Sequence, residues 1–280
     1  MPDLSLASNG TLPVLMYHHV NPVPGALTIT PAHFAAQMHW LAEHGYSTLG
    51  SAGIEAFLAG EPVPKKSVVL TFDDGLLDNY VHAHPVLQRY GLHAVMFLVT
   101  GWNHDGPARP HAGESSPVVV PSREDSKALI EAGSTDDIAV RWSEIERMRV
   151  AGTFEFHSHT HSHTRWDRVC ASREEKTARL QEDLALSQAT LHARLGEASR
   201  HLCWPQGYFD DDYLQVARQA GFRYLYTTRD TDRNRPGSDP GHLYRIGDKG
   251  KAANWIARKL WLVRHPLFGA AHYWLKQRKH

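Results

Sequence analysis

Short apolar runs rich in β-favouring residues alternate along this chain with stretches whose apolar residues recur every three or four positions. The runs are Pro13–Tyr17, Ser67–Phe72, Val95–Val99, Thr153–Phe156, His201–Trp204 and Arg223–Thr227. Continuous runs of this kind fit strands buried on both faces, as in a parallel sheet. Between them, Thr30-Pro31 sets an N-cap before a proline at the first helical position, and Phe34, Met38 and Leu41 mark one face up to Gly45. A second helix starts near Ser51 and carries Ile54, Phe57 and Leu58 to Gly60. Further helices are predicted over Val81–Tyr90, from the capping box Ser143–Glu146 to Gly152, over Arg173–Leu195 and over Asp212–Ala220. His242–Ile246 reads as a last strand. This alternation predicts an α/β protein with a parallel sheet or an α/β barrel. Residues 101–137 show no period and are rich in Gly, Pro and Ser, which predicts a long surface insertion, a candidate lid.

The length of 280 residues suits one large domain or two small ones, and no inner linker divides the first 248 residues. The formal net charge is zero, so no global field points to nucleic acid. The balance hides an asymmetry: eight of the 30 Lys and Arg, and none of the 30 Asp and Glu, lie from Lys249 onward. That tail also holds Trp255, Trp261, Phe268 and Trp274, so residues 248–280 read as a basic, aromatic-rich helical tail with 252–280 as a peripheral membrane contact. Met1–Leu12 lacks a basic start and an apolar core, and no stretch reaches ~18 uninterrupted apolar residues. The expectation is a cytoplasmic chain, peripheral on the inner face of the membrane if the tail engages it. Cys170 and Cys203 form no framework and are expected to be free, buried thiols.

The chemistry is concentrated at two strand ends. Asp73 and Asp74 arrive where the run Val68–Phe72 stops, and Gly75 lets the chain turn. Neighbours on a strand point to opposite sides, so two adjacent aspartates can serve two tasks. Directly after Phe154–Phe156 the chain reads His157-Ser158-His159-Thr160-His161-Ser162-His163. Four histidines in seven residues, in a chain with 20 in 280, point to a metal, since neutral imidazole is a common ligand. Two histidines and a carboxylate from another strand would form a three-ligand site with an open position. Spacing alone leaves the pair open, because His157/His161 and His159/His163 are both four apart.

Thr71-Phe72-Asp73-Asp74-Gly75, followed by Glu155-Phe156-His157-Ser158-His159-Thr160-His161-Ser162-His163, resembles the polysaccharide deacetylase family. This is carbohydrate esterase family 4, with the NodB-homology domain, and the likeness is to its poly-N-acetylglucosamine deacetylase-like branch. The likeness covers residues 13–247. The resemblance implies a distorted (β/α) barrel with the site at the C-terminal strand ends. The family's His-Ser/Thr-x-x-His motif follows a Glu, an apolar residue, a small residue and Ser or Asn. Glu155-Phe156-x-Ser158 therefore selects His159 and His163 as ligands with Asp74. The metal so implied is divalent, zinc first, with cobalt or nickel as alternatives. Asp73 is implied as the base that takes a proton from metal-bound water.

Trp204-Pro205-Gln206-Gly207-Tyr208 stands where the family has a turn whose backbone N–H binds the oxyanion, which implies that role for Gln206, with Pro205, Trp204 and Tyr17 around the pocket. Two departures stand out. Cys203 occupies the place where many members carry an arginine, and the late histidine motif is not recognisable. Tyr17-His18 matches a branch-specific substitute, making His18 the candidate acid. The implied activity is metal-dependent removal of an N-acetyl group from an amino sugar of a cell-envelope or exopolysaccharide glycan or its lipid-linked precursor. A deformylase of a lipid-linked amino sugar, and an inactive glycan-binding protein on the same fold, are the alternatives.

Overall fold

The computed structural model describes residues 10–114 and 118–278. The expectation about Met1–Leu12 falls mostly outside those residues. In chain order the strands are β1 (Val14–Tyr17), β2 (His19–Val20), β3 (Thr28–Ile29), β4 (Ser47–Thr48), β5 (Ser67–Phe72), β6 (Ala94–Leu98), β7 (Phe154–Ser158), β8 (His201–Cys203), β9 (Tyr224–Tyr226) and β10 (Ile246–Gly247). The main helices are α1 (Pro31–Glu43), α2 (Ser51–Leu58), α3 (His84–Tyr90), α4 (Arg123–Glu131), α5 (Trp142–Val150), α6 (Trp166–Val169), α7 (Arg173–Leu195), α8 (Asp211–Gln219), α9 (Ala253–Arg264) and α10 (Pro266–Gln277).

The sheet runs β10-β1-β5-β6-β7-β8-β9, all parallel, with β4 paired to the start of β5. It curls until residues 243–247 touch both edges. Leu243 bridges Tyr226 of β9, and Ile246 pairs with Leu15 of β1. A segment that changes partner within three residues cannot keep a ladder with either edge. The expected strand His242–Ile246 is therefore only a bridge at Leu243 followed by the two-residue β10.

Side-chain alternation sorts the apolar residues into two layers. Val14, Val69, Val95, Phe97, Cys203 and Tyr226 face the inside of the curl, where Ile54, Phe57 and Leu58 of α2 join them. Leu15, Leu70, Phe72, Met96 and Phe154 face outward beneath the helices. By the same alternation, the odd-numbered residues that follow Val69 on β5, Thr71 and Asp73, point inward.

The predicted helix Val81–Tyr90 is split into a wide turn, Asn79–Ala83, and α3. Pro85 has no N–H to give to the preceding turn and its ring crowds the carbonyl four residues back, so a regular helix cannot run through it. Within 101–137, where no element was expected, α4 is capped reciprocally. The Ser122 hydroxyl accepts from the Asp125 N–H and the Asp125 carboxylate accepts from the Ser122 N–H. The segment is anchored to α5 by the fully buried Glu144, which receives Arg109 through two nitrogens at 2.7 and 2.8 Å.

The tail packs on the body. Ile256, Leu260, Val263 and Tyr273 join the outer core, whereas Trp261, Leu267, Phe268, Trp274 and Leu275 are exposed. Among the described residues no helix is long and apolar enough to cross a membrane. Cys203 is buried and free as expected, but Cys170 is partly exposed.

Candidate active site

Asp73 extends the inward parity of β5. Asp74 then adopts a left-handed backbone (φ 73°) and Gly75 another (φ 66°), which swings the Asp74 carboxylate toward the end of β7. There Asp74 Oδ1 lies 3.2 Å from His159 Nε2 and 3.4 Å from His163 Nε2. The loop that presents these imidazoles is also turned tightly, with left-handed φ at Thr160 and His163. Its backbone is held from below by Asp183 of α7, which accepts from the N–H groups of His161 and Ser162 at 3.0 and 2.8 Å. The Trp166 indole N–H donates to the same carboxylate. On the other side Gly101 donates to the His161 carbonyl, and a Cβ there would fall 2.6 Å from that oxygen, so only glycine allows this approach.

The other two histidines lead elsewhere. His157 faces deeper into the curl, where its Nδ1 meets Ser199 Oγ at 2.8 Å and its ring lies 4.7 Å from that of His201. His161 Nδ1 meets Thr100 Oγ1 at 3.0 Å. The structure thus brings His159 and His163, not His157 and His161, to Asp74.

The three donors fit a cation. His159 Nδ1–H donates to the Cys203 carbonyl at 2.8 Å, so Nε2 faces Asp74. Burial opposes charge on this ring, but Cys203 and the Asp74 hydrogen bond raise its pKa well above the ordinary value, and Nε2 offers a lone pair where a cation takes the place of that proton. A lone pair and a carboxylate oxygen settle 3.2 Å apart only with a proton or a metal ion between them. Burial pushes His163 down to about 4, against the pull of Asp74, so its ring is neutral and able to ligate at pH 7. Burial alone would raise Asp74, but the hydrogen bond from His159 and the neighbouring imidazoles hold its carboxyl well below the usual carboxylate range. Two nitrogens and one oxygen suit zinc, cobalt or nickel.

Asp73 is 2% exposed and carries the feature that the sequence left unexplained. Arg245, itself 0% exposed, grips it with Nη1 on Oδ1 at 2.6 Å and Nη2 on Oδ2 at 2.8 Å. The same guanidinium donates to the Thr227 carbonyl at 2.7 Å, and Nη2 lies 3.0 Å from Cys203 Sγ. The arginine absent at Cys203 is thus replaced in space by one from the closing segment. Burial pushes the Asp73 carboxyl up, but the charge and hydrogen bonds of Arg245, helped by His18 and His159, bring it to about 2. The signal in the sequence was a single arginine inside the apolar stretch Leu243–Ile246, since a fully buried arginine is nearly always paired.

His18 Nε2 stands 3.7 Å from Asp73 Oδ2, and burial lowers its pKa against the opposing pull of Asp73 and Asp74. Gln206 follows β8 in the turn Pro205–Gly207 with a left-handed backbone (φ 56°), and its side chain accepts from Arg165. Tyr17 and Trp204, expected around the pocket, are core residues. Tyr17 packs on Phe34 and Phe72 and donates to Gln37, while Trp204 is fully enclosed with Leu180, Leu184 and Tyr213. Each follows the outward parity of its strand, beneath the helices. Pro205 is also buried.

A curled parallel α/β sheet with a carboxylate–imidazole cluster at its C-terminal strand ends defines a barrel-type α/β protein with a candidate metal site. The sequence model for polysaccharide deacetylase matches residues 60–225, and the chain belongs to that family. The Bacillus subtilis (strain 168) protein YxkH is 40% identical over 89 residues, spanning 31% of this chain and 32% of that protein. A poly-beta-1,6-N-acetyl-D-glucosamine N-deacetylase of Staphylococcus aureus (strain MRSA252) is 25% identical over 202 residues, spanning 71% of this chain and 61% of the relative. The solved structure of IcaB from Ammonifex degensii superposes with a TM-score of 0.70 at 25% identity, covering 90% of this chain and 97% of that one.

The Arg245 grip makes a direct prediction for Asp73. In Arg245→Gln the opposing charge is gone and burial dominates, so the carboxyl pKa rises from about 2 to above about 4. A 13C NMR titration of the Asp73 carboxyl carbon reads this, and an unchanged titration in the variant contradicts the assigned role.

Proposed function

We propose that this chain is a metal-dependent hydrolase that removes an N-acetyl group from an amino sugar of a cell-envelope or exopolysaccharide glycan. The observation that carries the reading is the pairing of two separate carboxylates at one strand end. Asp74 lies with two imidazoles, and Asp73 is clamped in its ionised form by Arg245. The relatives support the substrate class, since the Staphylococcus aureus protein is named for poly-beta-1,6-N-acetyl-D-glucosamine. Asp74, His159 and His163 would hold the divalent ion, zinc in our reading. When bound, such an ion polarises the amide carbonyl and lowers the pKa of water to about 7.

The chain's own groups supply the rest. Asp73 accepts the proton of the attacking water. Arg245 holds its carboxyl in the low range, and His18 stands 3.7 Å away, placed to take the proton onward. His18 has a lowered pKa and enters the reaction neutral, so the proton it delivers to the leaving amine is one it receives during turnover. The Gln206 N–H, presented by its left-handed backbone, is the group we assign to the developing oxyanion. The intact set Asp73, Asp74, His159 and His163 speaks against an inactive glycan-binding protein.

The exposed aromatic face of α9 and α10 favours a membrane-bound substrate, either an N-acetylated or an N-formylated lipid-linked amino sugar. Trp261, Phe268 and Trp274 point away from the core, and Arg278 stacks 3.6 Å from the Trp274 ring. Aromatic rings beside cations suit a headgroup region.

Two experiments test these readings. Incubation of the zinc-, cobalt- or nickel-loaded chain with N-acetylglucosamine oligomers should release acetate, and Asp73→Asn should slow the release by roughly 10²–10⁴-fold. Absence of acetate with all three metals would remove the deacetylase reading for such oligomers. In flotation with phosphatidylglycerol-containing liposomes, the wild type should float and the triple variant Trp261→Ser, Phe268→Ser, Trp274→Ser should not. These positions are exposed, so the fold is retained, and equal flotation of both proteins would exclude membrane contact through this face.

A further inference from the structure

A cavity opens at the same end of the sheet as Asp73 and Asp74. It has a volume of about 940 Å³ and lies between the loop after β9, the end of β10 and the inner faces of α9 and α10. Arg229, Lys249, Lys259 and Lys276 line it, with Asp230 and His272. Four basic side chains therefore face one carboxylate. Asp230 accepts from both Lys259 (2.9 Å) and Lys276 (2.5 Å), and from the Tyr273 hydroxyl at 2.8 Å. That single negative charge is thus shared by two ammonium groups, and Arg229 and Lys249 are left outside the pairing.

Burial, and after it Lys276 and Lys249, push Lys259 below its ordinary pKa although Asp230 opposes this, and burial with Lys259 and Lys276 pushes His272 down. The Nε2 of His272 is buried and has no hydrogen-bond partner among the described residues. Holding like charges around a cavity costs free energy that an anion in the cavity would offset.

The cavity adjoins the catalytic groups. Thr228 on its wall presses on Gly207, whose Cβ would fall 2.2 Å from Thr228 Oγ1, and Gly207 closes the turn that holds Gln206. Gly247 lies on the wall of this cavity and also of the small cavity beside His18. A neutral polysaccharide has no use for a surplus of about three positive charges here. A phosphate or diphosphate does, through the guanidinium fork of Arg229 and the point charges of the lysines.

We propose that this cavity binds the phosphate or diphosphate of a phosphate-linked amino sugar, so that the sugar reaches the catalytic groups with its anion held between β9, β10 and the tail helices. The sugar half of the proposal rests on the deacetylase reading; the anion half does not. A diphosphate of this kind is found in nucleotide sugars and in polyprenyl-linked sugars.

Calorimetric titration of the full chain tests the proposal without any turnover. The probes are inorganic pyrophosphate, UDP-N-acetylglucosamine, a short geranyl-diphospho-N-acetylglucosamine and neutral tri-N-acetylglucosamine. Pyrophosphate should bind the wild type and His159→Ala alike, and at least about tenfold more weakly to the double variant Arg229→Gln, Lys249→Gln. Both replaced residues are exposed and neither pairs with Asp230, so an unchanged melting temperature separates loss of binding from loss of fold. Tighter binding of the UDP sugar than of pyrophosphate assigns a nucleotide sugar, and tighter binding of the geranyl compound assigns a lipid-linked one. The proposal is overturned if pyrophosphate binding survives in the double variant. It is also overturned if that binding disappears in His159→Ala, which would place the anion at the metal donors, or if neither diphospho-sugar binds more tightly than the neutral trimer.

Discussion

The buried pair between Arg245 and Asp73 is the contact on which the site depends. Asp73 is carried inward by the alternation of β5, into a space otherwise filled by Val69, Val95, Phe97 and Tyr226. An isolated carboxylate there would take up a proton rather than stay charged. Arg245 reaches it from the segment that joins β9 to β1, so one interaction closes the curl of the sheet and keeps the Asp73 carboxylate ionised. A buried ion pair is weak evidence of added stability, and its retention here is better explained by what it does to Asp73.

Around that pair the backbone is strained in a way that tracks chemistry. Five residues other than glycine have positive φ among the described residues, and four of them, Asp74, Thr160, His163 and Gln206, belong to the strand-end cluster. Each such residue costs of order 1–2 kcal/mol, which regular packing alone does not recover. The hydrogen bonds of Asp183, the Thr160 hydroxyl and the Cys203 carbonyl fix the histidine turn and aim His159 and His163 at Asp74. The result is a preorganised donor set of the kind that a catalytic site requires.

Most of the layer order was legible in the sequence because parallel strands buried on both faces leave long apolar runs, and α7 coincides with its predicted span. The pair that lies beside Asp74 was singled out only by the family motif read on the residues flanking the histidines, since spacing treats His157/His161 and His159/His163 alike. Depth along β7 separates them physically: His159 stands at the strand end, and His157 two residues below it beside His201. Arg245 was not read, because its role depends on a contact 172 residues away in sequence that no local pattern encodes. Asp183 was missed for the same reason, as an acidic residue on a long polar helix. Helix α4 was missed because only Leu129 and Ile130 supply apolar periodicity, although Ser122 and Asp125 spelled out its cap.

The measurement that bears most directly on this account is metal content by elemental analysis after dialysis, for the wild type, His157→Ala and His159→Ala. About one divalent ion per chain is expected in the wild type and in His157→Ala, and none in His159→Ala. Retention of the ion by His159→Ala with its loss from His157→Ala, or no ion in any of the three after reconstitution, would contradict it.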